Sequence, residues 1–506
     1  MNLARLAIPV VYLALTTQAD AACKAGSFAR CAINGQQGTM ECLDNGKFTP
    51  CEPGAKGGTG PVLTGPITPN PYVGDANDTR TILADADIFY SAYFGMSDDE
   101  EVAYINKSFA ETWKGSSPPY WEYGRRTSAL VQIYDLLAPL DPARAGKYLE
   151  RLRRIASALL ANRDDYLKIP PHNSHPVDFF RKRTMPAWGA YTEDRDGRWN
   201  TDPVTAGLFT YAMAAFARRV ADSAVLSAKY GADAIRFTTA ALETYGAFLP
   251  EQHLAPQDPY AYFTVPLGYR LLACKNSHAC ENYRAVAGRP ISYNENLSMM
   301  KALAEIALAS DSRLYRASAD GRSPMRLFLG TDQAPLLIAK NFTYFDRHLS
   351  PKKLSDGTPI FEWNHQEPLP RIQDTAHASF ELGSLAVLLD EKIRLNALLA
   401  NHRHTEQVAL STPLFVRFAN TFLRKIWHYD YSDQQALHNV LSENVDGSGY
   451  LGTDQGKSAN WECAGWIPLA QFDRWIWIRC RDATFHDPGF LREDNHAALL
   501  RYRQFL

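Results

Sequence analysis

The sequence predicts an all-α fold, a toroid of α/α hairpins preceded by a small disulfide-rich module. Three observations predict it. From about residue 75 onward, apolar residues recur at helical spacing in segment after segment, as in "GRRTSALVQIYDLLAPL", "ARAGKYLERLRRIASALLANR" and "DAIRFTTAALETYGAFL". Strand-type alternation is sparse, and neither a short helical repeat nor an alternation of strands and helices is present. Several helical segments, "AGLFTYAMAAFA" and "ASFELGSLAVLL" among them, are apolar around most of their circumference and need cover on nearly all sides. An inner ring of helices shielded by an outer ring supplies that cover; an irregular bundle is the other helical arrangement compatible with the pattern.

The elements follow in order. Residues 1–21, "MNLARLAIPVVYLALTTQADA", place Arg5 before an apolar run and small residues after it, the order of an export signal cleaved after Ala21. The run is too short to anchor the chain in a bilayer, and no later segment is long and apolar enough to span one. Residues 22–52 hold Cys23, Cys31, Cys42 and Cys51, four of the eight cysteines, in a stretch rich in Gly and Asn. So small an apolar content predicts a module held by disulfides, as suits an oxidising compartment, with the pairing open among three possibilities. Cys274 with Cys280 and Cys463 with Cys480 are candidate pairs further on. Residues 53–74 are Gly/Pro-rich and read as a linker, and 75–506 form the large helical domain.

Composition narrows the function. A net charge of −2 over 506 residues provides no basic field for nucleic acid. Aromatic residues make up 12 % of the chain, and "YWEYG", "DPYAYFTVPLGY" and "FEWNH" set them in loop-like stretches suited to stacking on sugar faces, core packing being the alternative. Candidate polar chemistry concentrates in four places. The loop "IPPHNSHPVDFFRKRTMPAW" offers His175 and a basic trio, Arg181, Lys182 and Arg183, that could bind carboxylates, a solvated capping loop being the alternative. In "ISYNENLSMM", Tyr293, Asn294 and Asn296 stand at a helix start, where one Asn would suffice as a cap. In "FEWNHQEPLPRIQDTAHASFELG", Trp363 and His365 precede Arg371, Asp374 and His377. Asp374 reads as a helix cap and His377 as an imidazole on the first turn. No HExxH spacing or second His at i+4 is present, so no metal site is expected. The fourth place, near the C-terminus, includes Tyr450 and Trp466.

The ordered set "DPVTAGLFTYAMAAFARRV", "ISYNENLSMMKALAEIAL", "FEWNH…RIQDTAHASFELG", "ANTFLRKIW" and "CAGWIPLAQFD" resembles the helical-toroid polysaccharide lyases that cleave uronic-acid polymers such as alginate and glucuronan. The resemblance spans about residues 201–473; Thr205 stands where it leads one to expect a His. It implies β-elimination, in which Asn294, Asn296, Arg371 and His377 would neutralise the C6 carboxylate. Tyr293 or Tyr450, together with His377, would move protons, with Asp374 orienting His377. Asn296, Trp363, His365, His175, Arg183, Tyr450 and Trp466 would bind substrate. It further implies a secreted or periplasmic monomer acting on an anionic polysaccharide without a cofactor, a calcium-assisted version being compatible. A toroidal glycoside hydrolase, a uronyl C5-epimerase and a noncatalytic glycan-binding protein are the alternative expectations.

Overall fold

The computed structural model describes residues 28–33, 36–41, 52–53, 76–112, 119–168, 174–192, 197–255, 257–274, 278–317, 330–367, 369–430, 438–441, 444–448, 463–486 and 492–505. The chain divides into two compact units, Met1–Gly60 and Pro61–Leu506, and the division falls inside the Gly/Pro-rich stretch. The expected export signal, Cys23, Cys42, Cys51 and most of the linker lie outside the described residues.

In the first unit, Phe28–Ile33 and Gln36–Glu41 pair antiparallel with Cys31 opposite Gly38, and Glu52–Pro53 pairs with the second strand. The Asn34-Gly35 dipeptide between the two longer strands is the sequence signal for a tight hairpin.

The second unit is mostly helical, and its strands occur only as two-stranded pairs among the described residues. Local chemistry sets where helices begin. Asp141 accepts from the Ala143 and Arg144 amides at 3.1 and 3.0 Å, and Pro142 opens the Pro142–Ala161 helix. Asp202 and Pro203 repeat the device for Pro203–Ala221, with the Asp202 carboxylate 2.9 Å from the Val204 amide. Outer helices are one-sided: Pro142–Ala161 buries Leu149, Leu152, Ile155 and Leu159 and turns Arg153 and Arg154 outward.

Two helices are buried almost all round, Pro203–Ala221 and Tyr293–Ser310. The first packs against Tyr120–Leu137, Pro142–Ala161, Ala224–Ala247 and Tyr293–Ser310. Tyr293–Ser310 also packs on Gly330–Arg347 and Thr375–Asp390, and Tyr120–Leu137 on Glu493–Arg501. The Tyr120, Pro203 and Tyr293 helices run in the same direction, because they meet at two successive levels, Ser128 with Tyr211 and Lys301 at mid-helix and Asp135 with Arg219 and Glu305 nearer their C-terminal ends. Ser128, Tyr211 and Lys301 are each the ninth residue of their helix. The Lys301 ammonium lies 3.0 Å from the Ser128 hydroxyl and 3.8 Å from the Tyr211 ring centroid. All three line a cavity of about 80 Å³ that residues of the Thr375 and Glu493 helices also reach.

Close backbone approach depends on glycine at two points. A Cβ on Gly207 would lie 2.7 Å from the Ser298 carbonyl carbon, and one on Gly465 would overlap the Ser379 carbonyl oxygen. Gly465 instead donates its N–H to the Ser379 hydroxyl at 3.0 Å, pinning residues 463–471 to the Thr375 helix. Both later cysteine pairs, Cys274–Cys280 and Cys463–Cys480, form disulfides.

At the far end of these helices from their N-termini sits a buried ionic cluster. Arg219 grips Asp135 through two nitrogens at 2.7 and 2.5 Å and reaches Glu305 at 3.2 Å. Arg218 joins Glu305 to Glu391 at 2.6 and 2.8 Å, while Arg501 joins Asp135 to Asp390 at 2.9 and 2.8 Å. Burial pushes the Asp135 carboxyl up, but Arg219 and Arg501 outweigh it and hold it at about 2.

Two outcomes follow for stability. Gly207→Ala lowers the unfolding free energy in urea by about 2–3 kcal/mol, whereas Gly146→Ala, at a helical site open to solvent, raises it by about 0.5–1 kcal/mol. Because the folded Asp135 pKa is depressed, the stability it contributes is present above its unfolded value of 3.8 and is lost as pH falls toward about 2. Melting temperatures recorded between pH 5 and 2 should drop, and Asp135→Asn should flatten that drop.

Candidate functional site

Thr375–Asp390 begins where its sequence says it should. Asp374 is the N-cap, and its Oδ1 accepts the His377 backbone N–H at 2.9 Å. The same carboxylate turns its second oxygen to the His377 ring, 2.6 Å from Nδ1. Burial raises the Asp374 carboxyl, but the His377 contact dominates and holds it at about 2, so at neutral pH Asp374 is ionised and His377 Nδ1–H donates to it. Capping and imidazole orientation are thus performed by one residue.

A β-hairpin brings in the third member. Asn364–Gln366 and Leu369–Ile372 pair antiparallel, which places the His365 ring 5.1 Å from the His377 ring, edge to face. His365 Nδ1 lies 2.9 Å from the Gln373 amide oxygen, which also accepts the Asp374 backbone N–H at 3.1 Å. The Gln373 amide nitrogen donates to Glu381, so its oxygen faces His365 and the His365 Nδ1 carries the proton. Burial, with the nearby His377 adding to it, lowers His365 to about 4 and leaves it neutral. Beneath the hairpin, fully buried Glu381 accepts from Trp363 Nε1 at 2.8 Å, and burial keeps its carboxyl protonated well above the usual range.

His365, Asp374 and His377 each offer a ligand atom, and these atoms lie within 4.8 Å of one another, the donor set of a metal centre although no metal-binding spacing marks it in the sequence. Arg371 is exposed, with its guanidinium 4.0 Å from Asp374. Trp121, near the start of the Tyr120 helix, presents its ring edge-on 6.0 Å from His377 and 4.5 Å from Phe380.

The remaining expected residues sit elsewhere. The Tyr293 helix is capped by Ser292, whose N–H meets the Glu295 carboxylate at 3.1 Å, so neither Asn is a cap. Asn296 is buried and bonded: it accepts from the Phe263 amide at 2.9 Å and donates to the Ile291 and Ser292 carbonyls at 3.0 and 3.2 Å. Its expected contact with substrate is replaced by a structural one, tying the Ala261–Phe263 strand to the helix. Tyr293 is buried against Tyr344 and Phe345, and burial raises its hydroxyl further above its ordinary value, against the expected role as a base. The Tyr293 hydroxyl faces that of Tyr344, and the Asn294 Oδ1 has no hydrogen-bond partner among the described residues. Trp363 and Trp466, expected at a sugar-binding surface, are instead core residues, 2 % and 0 % exposed; flat rings fit both settings, and here burial wins. His175 and Arg183 are exposed on another segment, bonded to the Leu167 and Ala247 carbonyls at 2.7 and 2.8 Å. Tyr450 lies outside the described residues. Gln373, Glu381 and Trp121 are the members sequence reasoning missed; the "YWEYG" stretch that contains Trp121 opens a helix rather than a loop.

No protein-family model, no curated protein and no solved structure matches the chain.

Two measurements check this site. His365 should stay neutral by ¹⁵N chemical shift from pH 7 down to about 4; since its folded pKa is depressed, the stability it contributes is full above 6.5 and declines as pH falls toward 4. Glu381→Ala strips two buried donors of their acceptor and should cost about 2–4 kcal/mol in denaturant melts.

Proposed function

We propose that the protein is an exported, monomeric polysaccharide lyase that cleaves a uronate polymer of the alginate or glucuronan type by β-elimination. The observation that carries the reading is the Asp374–His377 pair, with an ionised carboxylate 2.6 Å from an imidazole that remains 34 % exposed. With Nδ1–H donated to Asp374, the imidazole carries its lone pair on Nε2, the form that takes a proton from carbon. The exposed Arg371 guanidinium nearby suits the C6 carboxylate, whose neutralisation acidifies the C5 proton. In the proposed reaction His377 removes the C5 proton, the C4–O4 bond breaks with formation of the C4–C5 double bond, and the leaving O4 receives a proton. The motifs that resemble uronate lyases include this same Asp-x-x-His run.

The toroid belongs to the same proposal. The Tyr120, Pro203, Tyr293 and Thr375 helices, the 463–471 segment and the Glu493 helix contact one another in that cyclic order, with Glu493–Arg501 returning to Tyr120–Leu137. Their shared polar cavity is what an inner ring would enclose, and His377 sits at the N-terminal end of one of them. Hydrolysis is less well supported here, because it needs two available carboxyl groups across the scissile bond. Asp374 has both oxygens engaged, and Glu381 is buried beneath the hairpin.

Incubation with alginate, glucuronan and other polyuronates should give a rise in ultraviolet absorbance from the 4,5-unsaturated product. His377→Ala should lower kcat/KM by about a hundredfold or more. Asp374→Asn keeps a good helix cap while removing the charge, so it should lose activity comparably while the protein stays folded by circular dichroism, with a lower melting temperature because the ionised carboxylate contributes stability at neutral pH. Reducing ends released without absorbance would make the protein a hydrolase and end the lyase reading.

A further inference from the structure

We propose that His365, Asp374 and His377 bind a divalent transition-metal ion, and that the bound ion switches off proton transfer at His377. The binding half stands on the geometry alone; the switching half rests on the lyase reading above. Two imidazoles and a carboxylate converge with their ligand atoms within 4.8 Å of one another. Around an ion with bonds of about 2.0–2.2 Å, such atoms stand about 3–4 Å apart, so side-chain shifts of under about 1 Å complete the set.

What separates this cluster from a chance grouping is the layer behind it. His365 is tethered through Nδ1 to the Gln373 amide oxygen at 2.9 Å, Gln373 is tethered in turn to Glu381, and Glu381 is held by Trp363 at 2.8 Å. Metal-binding histidines characteristically have the second ring nitrogen fixed in this way. His377, the third residue of its helix, is fixed by its backbone bond to Asp374 Oδ1, and its ring Nδ1 lies 2.6 Å from Asp374 Oδ2, so an ion held by both takes the place of the proton they share. The helix N-terminus disfavours a cation weakly, and the Asp374 carboxylate with the coordinate bonds outweighs it.

The donor set selects the ion. Two nitrogens and one oxygen suit Zn²⁺, Co²⁺ or Ni²⁺, whereas calcium takes six or more oxygens and finds too few here. A neutral imidazole has one lone pair. Once it is given to a metal, whichever ring nitrogen is used, His377 has none left for the C5 proton. Metal and substrate proton therefore compete for one electron pair.

The test uses the full chain, stripped with EDTA and dialysed. Titration with Co²⁺ at pH 7.5 should produce visible d–d absorption that saturates at one equivalent, and Zn²⁺ should displace it. His365→Ala, which leaves the helix cap intact, should weaken Co²⁺ binding at least tenfold while keeping the far-ultraviolet circular dichroism of the parent; His365→Gln serves as a second variant if the alanine form does not fold. A missing stoichiometric band, or unchanged affinity in the folded His365 variant, overturns the site. In the activity arm, Zn²⁺ should suppress elimination and EDTA restore it. Binding without suppression, or elimination that requires the ion, overturns the switch while leaving the site. A protein that eliminates no polyuronate but binds Co²⁺ through His365 removes the lyase reading and keeps the metal site.

Discussion

Arg219 is the point on which the arrangement of the long helices turns. It lies inside the protein, grips Asp135 of the Tyr120 helix with two nitrogens and reaches Glu305 of the Tyr293 helix from the Pro203 helix between them. A guanidinium buried without partners would cost many kcal/mol, so any sliding of one of these helices past another breaks an interaction that water cannot replace. The contact therefore fixes relative depth as well as proximity. Arg218 and Arg501 extend the same constraint to Glu391 and Asp390 at the end of the Thr375 helix. Arg218 and Arg219 also occupy the last turn of their own helix, where positive charge complements its carbonyl end.

With one end locked, the other presents the Asp374–His377 pair. Register set at Arg219 is carried up the helices by the Ser128, Lys301 and Tyr211 level and by the close approach at Gly207, and it decides where the Thr375 helix begins relative to its neighbours. Asp374 then does two things that compete in most proteins: it ends a loop by capping a helix, and it orients a partly exposed imidazole. A residue with two oxygens manages both because the backbone and ring of His377 take one each.

Much of this was legible in the residues. Helical spacing marked the long elements, the all-round apolar "AGLFTYAMAAFA" marked one enclosed helix, and the Asp-x-x-His run marked the cap and its imidazole, whereas "ASFELGSLAVLL" lies in the partly exposed Thr375–Asp390 and the second enclosed helix is Tyr293–Ser310. What was not legible depended on contacts between distant parts of the chain. His365 joins His377 only because a hairpin folds over Gln373, and nothing local to "EWNHQ" encodes that partner. Trp363 and Trp466 carry the same rings whether they stack on a sugar or fill a core, so only burial separates the two. Asn296 reads as an exposed polar residue beside a helix start, yet it supplies hydrogen bonds that the Ala261–Phe263 strand and the preceding turn lack. The register of the inner helices, too, is set by charged pairs whose members lie far apart in sequence.

Arg501 and Asp135 are 366 residues apart in the chain and 2.9 Å apart in space. A ribosome makes the Tyr120 helix long before it makes the Glu493 helix that covers it, and the segment around Gly465 that braces the His377 helix also comes late. The nascent chain must therefore carry unmatched charges and uncovered apolar faces until the Glu493 helix has been made. Folding of this kind is governed by long-range contacts and is slow compared with that of a local helical bundle. It also makes the segment around Gly465 a checkpoint: a polypeptide cut short before residue 463 has every residue of the His365, Asp374 and His377 cluster, but not the brace that holds its helix in place.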